Sequence, residues 1–369
     1  MLKKIIKTLS NIPGWRTSRK IVVIESDDWG SIRMPSNRVK DKLVNQSIAM
    51  GNYERQRYTN NDTLATEIDF RALYETLNKL KDINKKSPVF TAVSVVANPN
   101  FEKIKESNFK EYFHEPFTKT LEKYNHHNAF KMWQEGLKEE LFVPQFHGRE
   151  HLNVQVWMRH LQAKDLSTHA AFELNCWGYA NTNKYNIDYQ AAYDLEILSD
   201  ITYQEIIIKE GLELFECIHG YKADFFVPPN GPFNNSLESI SAQNGIKYMS
   251  ASKIQSEPQG AGKQKTHLHW LGQKNKFNQF YITRNCFFEP SDSSKNWVSS
   301  CLNEIENAFK WHKPAVISSH RVNYVGGLDE KNRTHGLNQL TILLTEIQKK
   351  WPSVEFMTSS QLGELISKK

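Results

Sequence analysis

The chain has 369 residues, a formal charge of +6 and 39% apolar residues, which is an ordinary composition for a globular protein with a large core. Acidic residues are interspersed among the basic ones, and this pattern argues against a nucleic-acid-binding surface. The four cysteines lie far apart without a Cys-x-x-Cys pair, so neither a thiolate metal site nor a disulfide framework is expected. No apolar run reaches the roughly 18 residues that span a membrane, and no signal peptide is recognisable. We therefore expect a cytoplasmic protein without an integral membrane segment.

Eight apolar runs predict buried β-strands. Several of them are continuously apolar rather than alternating, which is typical of parallel strands covered on both faces. In chain order, the predicted strands are residues 21–26, 89–96, 141–146, 224–227, 248–250, 280–283, 315–319 and 354–358.

Helical patterns lie between these strands. In residues 63–81, for example, apolar side chains recur with a period close to 3.6. The predicted helices are residues 63–81, 117–137, 152–161, 189–218, 237–242, 297–311 and 337–351. Alternation of strands and helices indicates a parallel α/β sheet or barrel.

Three segments depart from this alternation. Residues 1–19 form an N-terminal segment in which Ile5, Ile6 and Leu9 suit a short amphipathic helix packed on the domain. Residues 31–61 are polar and predict a long loop or insertion after the first strand. Residues 256–276 predict a mobile loop with a hairpin arm. Long loops after barrel strands are where such folds build their functional sites.

The first chemical pattern is the adjacent pair Asp27 and Asp28, directly after the first predicted strand. Carboxylates at the C-terminal end of a parallel strand lie where α/β folds bind ligands. Neighbouring strand residues point to opposite faces, so both carboxylates enter one site only if the chain turns there, which Gly30 favours. Aspartate also favours helix N-caps and turns, and the pair alone leaves these interpretations open.

The second pattern is His147 and His151, directly after the third predicted strand. On a helical turn, two histidines four residues apart share one face and can bind one metal ion. A competing pair, His267 and His269, would share a face of a strand, and we expect that pair to be a surface feature.

Two further strand ends carry candidate residues. Residues 225–231 contain Pro228, Pro229 and Asn230 before a glycine, a composition that either fixes a loop with backbone N–H groups facing a substrate oxygen or forms a plain turn. His320 ends the strand predicted at residues 315–319, where a histidine can transfer protons near neutral pH or be hydrogen bonded in the core.

Taken in chain order, these patterns resemble the motifs of the polysaccharide deacetylases, the NodB-homology superfamily (carbohydrate esterase family 4-like). The family's Thr-Phe-Asp-Asp-Gly motif is similar to residues 25–30, in which Trp29 precedes the glycine. Its His-(Ser/Thr)-x-x-His motif matches the spacing of His147 and His151, with Gly148 in place of the hydroxyl residue. Its Pro-containing third motif is similar to residues 227–231, and its Leu-x-His strand end is similar to residues 317–320. The resemblance covers about residues 20–365.

The resemblance implies a fold and a domain organisation. The expected fold is a distorted (β/α) barrel of the polysaccharide deacetylase type, seven- or eight-stranded, with long loop insertions. Residues 20–369 are expected to form a single catalytic domain after the N-terminal segment.

The resemblance also implies a chemistry. Asp28, His147 and His151 would hold one divalent metal, with zinc as the first choice, although two histidines and an aspartate suit other divalent ions as well. Asp27 would be the general base and His320 the general acid. The expected reaction is removal of acetyl or similar acyl groups from an N- or O-acylated sugar or polysaccharide.

The sequence departs from the family at the residues that surround this chemistry. The third-motif arginine that orients the base is absent, and Arg149, Arg284 or Arg321 are the candidates to replace it. Asn230 stands where the family has a tyrosine whose backbone N–H faces the oxyanion. No counterpart of the family's fourth motif is found. We assign substrate binding to four residues: Trp29, Pro229, Asn230 and Arg284.

Two alternative functions remain open. A glycoside hydrolase would need a second carboxylate roughly 5–9.5 Å from the first, and Glu25 or Asp292 are the candidates. A deacetylase-like domain that binds glycans without catalysis is favoured by the missing arginine, with Trp29, Trp177 and Trp270 available for stacking on sugars.

Overall fold

The computed structural model describes residues 11–368, so the amphipathic helix predicted around Ile5, Ile6 and Leu9 lies outside the described residues. The strands of residues 11–368 are β1 Lys20–Trp29, β2 Phe90–Ser94, β3 Ala97–Pro99, β4 His114–Pro116, β5 Phe142–Phe146, β6 Phe225–Phe226, β7 Tyr248–Ser250, β8 Ile254–Pro258, β9 Gln264–Leu268, β10 Phe280–Ile282, β11 Cys286–Phe287, β12 Ala315–His320 and β13 Val354–Met357.

The α-helices of the same range are α1 Asn37–Asn45, α2 Tyr53–Asn61, α3 Glu67–Asn78, α4 Phe101–Glu106, α5 Phe117–Lys123, α6 Ala129–Lys138, α7 Val154–Gln162, α8 Leu166–Phe172, α9 Asp200–His219, α10 Glu238–Gln243, α11 Trp297–Lys310, α12 Glu330–Lys350 and α13 Ser359–Ser367. No helix within residues 11–368 is long and apolar enough to cross a membrane.

The main sheet is parallel throughout and curls into a distorted (β/α) barrel. Its strands follow the order β10-β7-β6-β5-β2-β1-β12-β11, and β13 pairs with the first part of β1. Only residues 283–285 separate β10 from β11, the two strands at opposite ends of this order, so the edges of the sheet must lie close together. The expected fold class is confirmed, with eight strands in the main path and β13 as a ninth.

Strand β1 shows why the apolar runs are continuous. Ile21 and Val23 pack in the cluster inside the barrel, whereas Val22 and Ile24 pack in the cluster beneath the helices. Because side chains alternate along a strand, Glu25 and Asp27 also point toward the barrel interior. The same alternation that buries both faces of β1 therefore directs a carboxylate into the barrel at its C-terminal end.

The predicted strands are all present, with boundaries within about two residues in most cases. Of the loop or insertion predicted for residues 31–61, the loop was wrong, because this segment contains helices α1 and α2, whose N-caps are Ser36 and Asn52. Both helices are short and mostly polar, so they lack a long apolar periodicity. The helix predicted at residues 117–137 is divided into α5 and α6, and the one predicted at residues 189–218 begins only at Asp200. Residues 254–268 form the β8–β9 hairpin, which confirms the predicted hairpin arm.

Helix α12 packs directly on the segment that follows β12. A Cβ atom added at Gly336 would lie 1.7 Å from the carbonyl oxygen of Asn323, so only glycine permits this contact. The side chain of Asn323 in turn donates to the carbonyl oxygen of His320 at 2.9 Å. The close approach of α12 thus supports the end of β12.

We expect Gly336→Ala to lower the free energy of unfolding by about 1–3 kcal/mol, since overpacking forces the backbone apart. Asn338→Ala, at an exposed position of the same helix, is the matched control and should be nearly neutral. Urea unfolding of the two variants measures the difference. If Gly336→Ala were as stable as Asn338→Ala, the backbone at Asn323 would accommodate the added methyl group without loss of stability.

Candidate metal and catalytic site

The C-terminal end of β1 carries a β-bulge that brings two adjacent carboxylates to one site. Ser26 pairs with Ala92 and Trp29 with Ser94, so β1 has one residue more than β2 over this interval. Asp28 lies in the bulge with φ 75°, a left-handed conformation that is uncommon for a non-glycine residue. The bulge reorients Asp28, and both Asp27 and Asp28 line the same cavity.

His147 and His151 follow β5 in an irregular loop rather than on the helical turn that we predicted. Gly148 between them has φ 100°, which bends the loop so that the two rings approach to 5.0 Å between centroids. The Nε2 atoms of His147 and His151 lie 3.4 Å and 3.1 Å from Oδ1 of Asp28. The structure therefore brings together the three residues predicted to hold a metal.

The geometry of these three side chains fits a divalent metal. Their ligand atoms all lie within 4.8 Å of one another, and all three residues are buried. The Nδ1–H of His147 donates to the carbonyl oxygen of Val227 at 2.7 Å, which leaves the buried Nε2 without a hydrogen-bond partner. A backbone carbonyl on one ring nitrogen is the usual arrangement for a metal-binding histidine. Two imidazoles and a carboxylate are a donor set that zinc accepts.

Protonation states at this cluster also suit metal binding. Burial lowers the pKa of His151 below its ordinary value, which favours the neutral imidazole that binds metals. Burial raises the pKa of Asp28, but the electrostatic attraction of His151 and His320, together with the hydrogen bond from His151, outweighs burial and holds that pKa well below the ordinary value. Asp28 is therefore ionised.

Asp27 is held by Arg284, which occupies the segment between β10 and β11. The two terminal nitrogens of Arg284 donate to the two oxygens of Asp27 at 2.6 Å each, and its Nε donates to Glu25 at 2.6 Å. Burial raises the pKa of Asp27, but the charge and hydrogen bonds of Arg284 outweigh it, and the net pKa lies below the ordinary value. Of the three arginines considered from the sequence, Arg284 is the one at the aspartate pair: Arg149 pairs with Glu150 and Glu210, and Arg321 with Asp62.

His320 lies beside Asp27 because the β1–β12 register pairs these two residues. Its Nε2 is 3.8 Å from Oδ2 of Asp27, and its Nδ1 hydrogen bonds to Oε1 of Glu289 at 2.5 Å. Burial lowers the pKa of His320, but the charge and hydrogen bond of Glu289 outweigh it and raise the pKa to about 9. At neutral pH the imidazole is therefore protonated, with Nδ1–H fixed on Glu289.

One cavity of about 670 Å³ is lined by six of the residues described above, and this volume lies in the range of about 300–1,000 Å³ that is typical of small-molecule sites. The six are Asp27, Asp28, His147, His151, Arg284 and His320. Among the residues assigned to substrate binding, Arg284 and Asn230 line the cavity, and Asn230 has φ 56° in a turn closed by Gly231 and Pro228. The other two assignments are corrected. The cavity is lined by Pro228 rather than Pro229. Trp29 is 1% exposed in the core, where its indole donates to Ser26.

The residues named for the two alternative functions do not line the cavity. Glu25 is fully buried beneath Arg284 and Ser359, and Asp292 accepts hydrogen bonds from Ser294 outside the cavity, so neither provides a second carboxylate across the cavity from Asp27. Trp177 and Trp270 do not line the cavity. The guanidinium that was missing from the third motif is supplied to Asp27 by Arg284.

The competing pair His267 and His269 does not converge on a metal. His267 pairs with Glu257 at 2.8 Å, and His269 hydrogen bonds to Gln255 at 2.5 Å. His267 is partly exposed on the β8–β9 hairpin, as expected for a surface feature, whereas His269 is buried.

Sequence reasoning missed two groups of residues at this site. Glu289 follows β11, a two-residue strand that the sequence did not predict, so no local pattern marked this residue. Arg33, Arg55 and Tyr58 line the cavity from the segment that was taken for a loop. The sequence offered no signal for these three beyond their position after the first strand.

No protein-family model matches the chain, and no curated protein does either. Several solved structures do. A protein from Pseudomonas aeruginosa described as a polysaccharide deacetylase matches with a TM-score of 0.47 and 9% identity, over 94% of this chain and 91% of that one. One from Mycobacterium smegmatis with the same description matches with a TM-score of 0.44 and 11% identity, over 96% and 93%. The 4-alpha-glucanotransferase of Thermococcus litoralis matches with a TM-score of 0.44 and 9% identity, over 93% and 40%.

Polysaccharide deacetylases are thus among the solved structures similar to this chain, as the sequence resemblance implied. Their identities of 9–11% are too low to assign a reaction to this chain.

We expect His147→Ala and His151→Ala each to weaken zinc binding by about 10-fold or more, because each removes one of three ligand atoms. Calorimetric titration with zinc, together with elemental analysis, measures this loss. His267→Ala removes an imidazole from the hairpin and serves as the control, with zinc binding unchanged. If both site variants bound one zinc ion as tightly as the unmodified protein, the predicted metal site would be wrong.

Proposed function

We propose that this protein is a metal-dependent hydrolase that removes acetyl or similar acyl groups from an N- or O-acylated sugar or polysaccharide. One observation carries the proposal: three converging ligand atoms lie in the same cavity as an ionised carboxylate and a protonated imidazole. These are the parts that hydrolysis of an amide or ester requires, namely a metal, a base for the attacking water and an acid for the leaving group.

Asp28, His147 and His151 would hold one divalent ion, with zinc as the first choice. When bound, such an ion acts as a Lewis acid toward the acyl carbonyl and makes water more acidic. The hydrogen bond from Nδ1–H of His147 to the carbonyl oxygen of Val227 fixes the tautomer and the orientation of the imidazole that metal binding requires.

Asp27 would accept the proton of the attacking water. Its lowered pKa keeps it ionised at neutral pH, and the paired hydrogen bonds from Arg284 fix the plane of the carboxylate. Arg284 is in this view a positioning residue rather than a substrate-binding one.

His320 would donate a proton to the departing amine or alkoxide. Its Nδ1 is engaged by Glu289, so in the protonated ring Nε2 carries the transferable proton. This Nε2 lies 3.8 Å from Asp27, so the proposed acid and base are close enough to act on one acyl group between them. The backbone N–H at Asn230, which also lines the cavity, is our candidate donor to the developing oxyanion.

The direct test is acetate release by the zinc-loaded protein from a panel of N-acetylated and O-acetylated sugars. We expect Asp27→Asn to keep the metal and the fold, because the amide is nearly isosteric, but to slow acetate release by roughly 10²–10⁴-fold. A variant that keeps its zinc and releases acetate at the unmodified rate would show that Asp27 is not the base.

The pH dependence tests the role assigned to His320. Because Glu289 raises the pKa of His320 to about 9, the proton donor should be lost only as the pH rises past that value. Glu289→Gln removes the charge, so the alkaline limb of kcat/KM should move to lower pH. Asp292→Asn removes a carboxylate that does not line the cavity and should leave the limb in place. An alkaline limb that does not move in Glu289→Gln would exclude His320 as the titrating acid.

A further inference from the structure

Arg33 is a buried arginine in the cavity wall whose side chain lacks a close partner. Its side chain is 10% exposed, and the one ion pair that it makes within residues 11–368 is a distant one, with NH1 4.0 Å from Oδ2 of Asp28. Its Nε is buried without a hydrogen-bond partner, and no hydrogen bond joins its guanidinium to another described residue. A guanidinium has five N–H groups, and leaving such donors unsatisfied in a buried position is costly.

The other two arginines that line the cavity, Arg55 and Arg284, do not share this property. Each of them donates to several acceptors in the protein: Arg55 to Tyr179 and Asp188, and Arg284 to Glu25, Asp27 and Ser318. Arg33 is therefore the arginine of this wall with donors available to a ligand.

The position of Arg33 is fixed by its surroundings. Its guanidinium lies over the ring of Tyr58 at 4.2 Å, a cation–π contact. A Cβ atom added at Gly178 would lie 3.0 Å from Cγ of Arg33, so the absence of a side chain at Gly178 leaves room for the arginine stem. The guanidinium is thus held in place at the cavity while its N–H donors lack acceptors, as expected of a preorganised binding group.

Asp28 does not complete the hydrogen bonding of Arg33. Its Oδ2 is 4.0 Å from NH1 of Arg33, beyond hydrogen-bond distance, whereas its Oδ1 contacts the two imidazoles at 3.1 Å and 3.4 Å. A divalent metal held by Asp28 would draw on the negative charge of this carboxylate. In the metal-loaded protein, the positive charge of Arg33 would then be still less compensated.

We propose that Arg33 binds a carboxylate group of the substrate, so that the site selects acylated sugars that are also acidic. The proposal rests on the proposed function and names its substrate class. A planar guanidinium pairs with a carboxylate through two parallel hydrogen bonds. One uncompensated positive charge matches a monoanion, since the charge of neighbouring Arg55 is already paired with Asp188.

The test compares binding of sugars with and without one carboxylate. The probes are N-acetylglucosaminuronic acid against N-acetylglucosamine, and N-acetylmuramic acid against its carboxamide, titrated calorimetrically into the zinc-loaded protein. We expect at least one acid to bind about 10- to 100-fold more tightly than its neutral partner, the usual strength of a hydrogen bond to a charged group. Arg33→Gln should reduce the ratio of the two affinities to within about threefold. Arg33→Lys keeps the positive charge but not the planar pair of N–H donors, and it should retain part of the preference.

Arg55→Gln is the matched control, because it removes a paired arginine of the same wall and should preserve the preference for the acid. Zinc content and thermal unfolding of every variant show whether the metal site and the fold are intact. Equal binding of both acids and their neutral partners by the unmodified protein overturns the proposal. So does a preference that survives in Arg33→Gln, or one that is lost only because zinc is lost.

The two proposals fail in different ways. Acetate release from neutral and acidic sugars at equal efficiency would leave the hydrolase proposal standing and overturn the role of Arg33. An Arg33-dependent preference for the acids without acetate release from any of the four sugars would support the binding group and count against the hydrolase.

Discussion

The site depends on keeping two adjacent carboxylates ionised in a buried place. Asp27 and Asp28 are each about 4% exposed, and two like charges so close would ordinarily raise each other's pKa. The bulge in β1 separates them into two environments. Arg284 neutralises Asp27, whereas two imidazoles face Asp28, and both pKa values lie below their ordinary range. The left-handed backbone at Asp28 is the local strain that this separation requires.

The curvature of the sheet supplies one half of this compensation. Arg284 is 257 residues from Asp27 in sequence and belongs to the short link between the two edge strands. It can reach β1 only because the sheet curls until those edges lie close together. The curvature of the sheet and the ionisation of Asp27 are therefore coupled: a flatter sheet would remove the guanidinium, and burial would then raise the pKa of the carboxyl group. His320 shows the opposite adjustment, since Glu289 raises its pKa to about 9. Environments that separate two pKa values in this way distinguish a base from an acid.

The sequence indicated the parts of the site that strand register determines. Asp27 and His320 end two parallel runs, and parallel pairing places such ends side by side, as the β1–β12 ladder does. From the sequence, only a turn near Gly30 could be predicted. The bulge itself depends on how β1 pairs with β2, which the sequence of β1 alone does not show. Trp29 was misassigned for the same reason: beyond the bulge its indole turns into the core against Phe142 and hydrogen bonds to Ser26. The roles of Arg284 and Glu289 depend on which partners the fold brings near, and a local pattern does not carry that information.

Residues 31–61 show a different limit of sequence patterns. Their helices α1 and α2 are stabilised by N-caps and by contacts with the barrel, so apolar periodicity within the segment is weak.

This segment brings two arginines to the cavity, and their charges act on each other. Burial lowers the pKa of Arg55, and the positive charge of Arg33 lowers it further. Asp188 compensates Arg55 within the protein, whereas the distant contact with Asp28 compensates Arg33 only in part. An incompletely compensated buried charge reduces stability unless a ligand completes it. If the proposed function holds, the strand ends would supply the groups for the acyl chemistry, and the segment after β1 would supply the groups that distinguish one acylated compound from another.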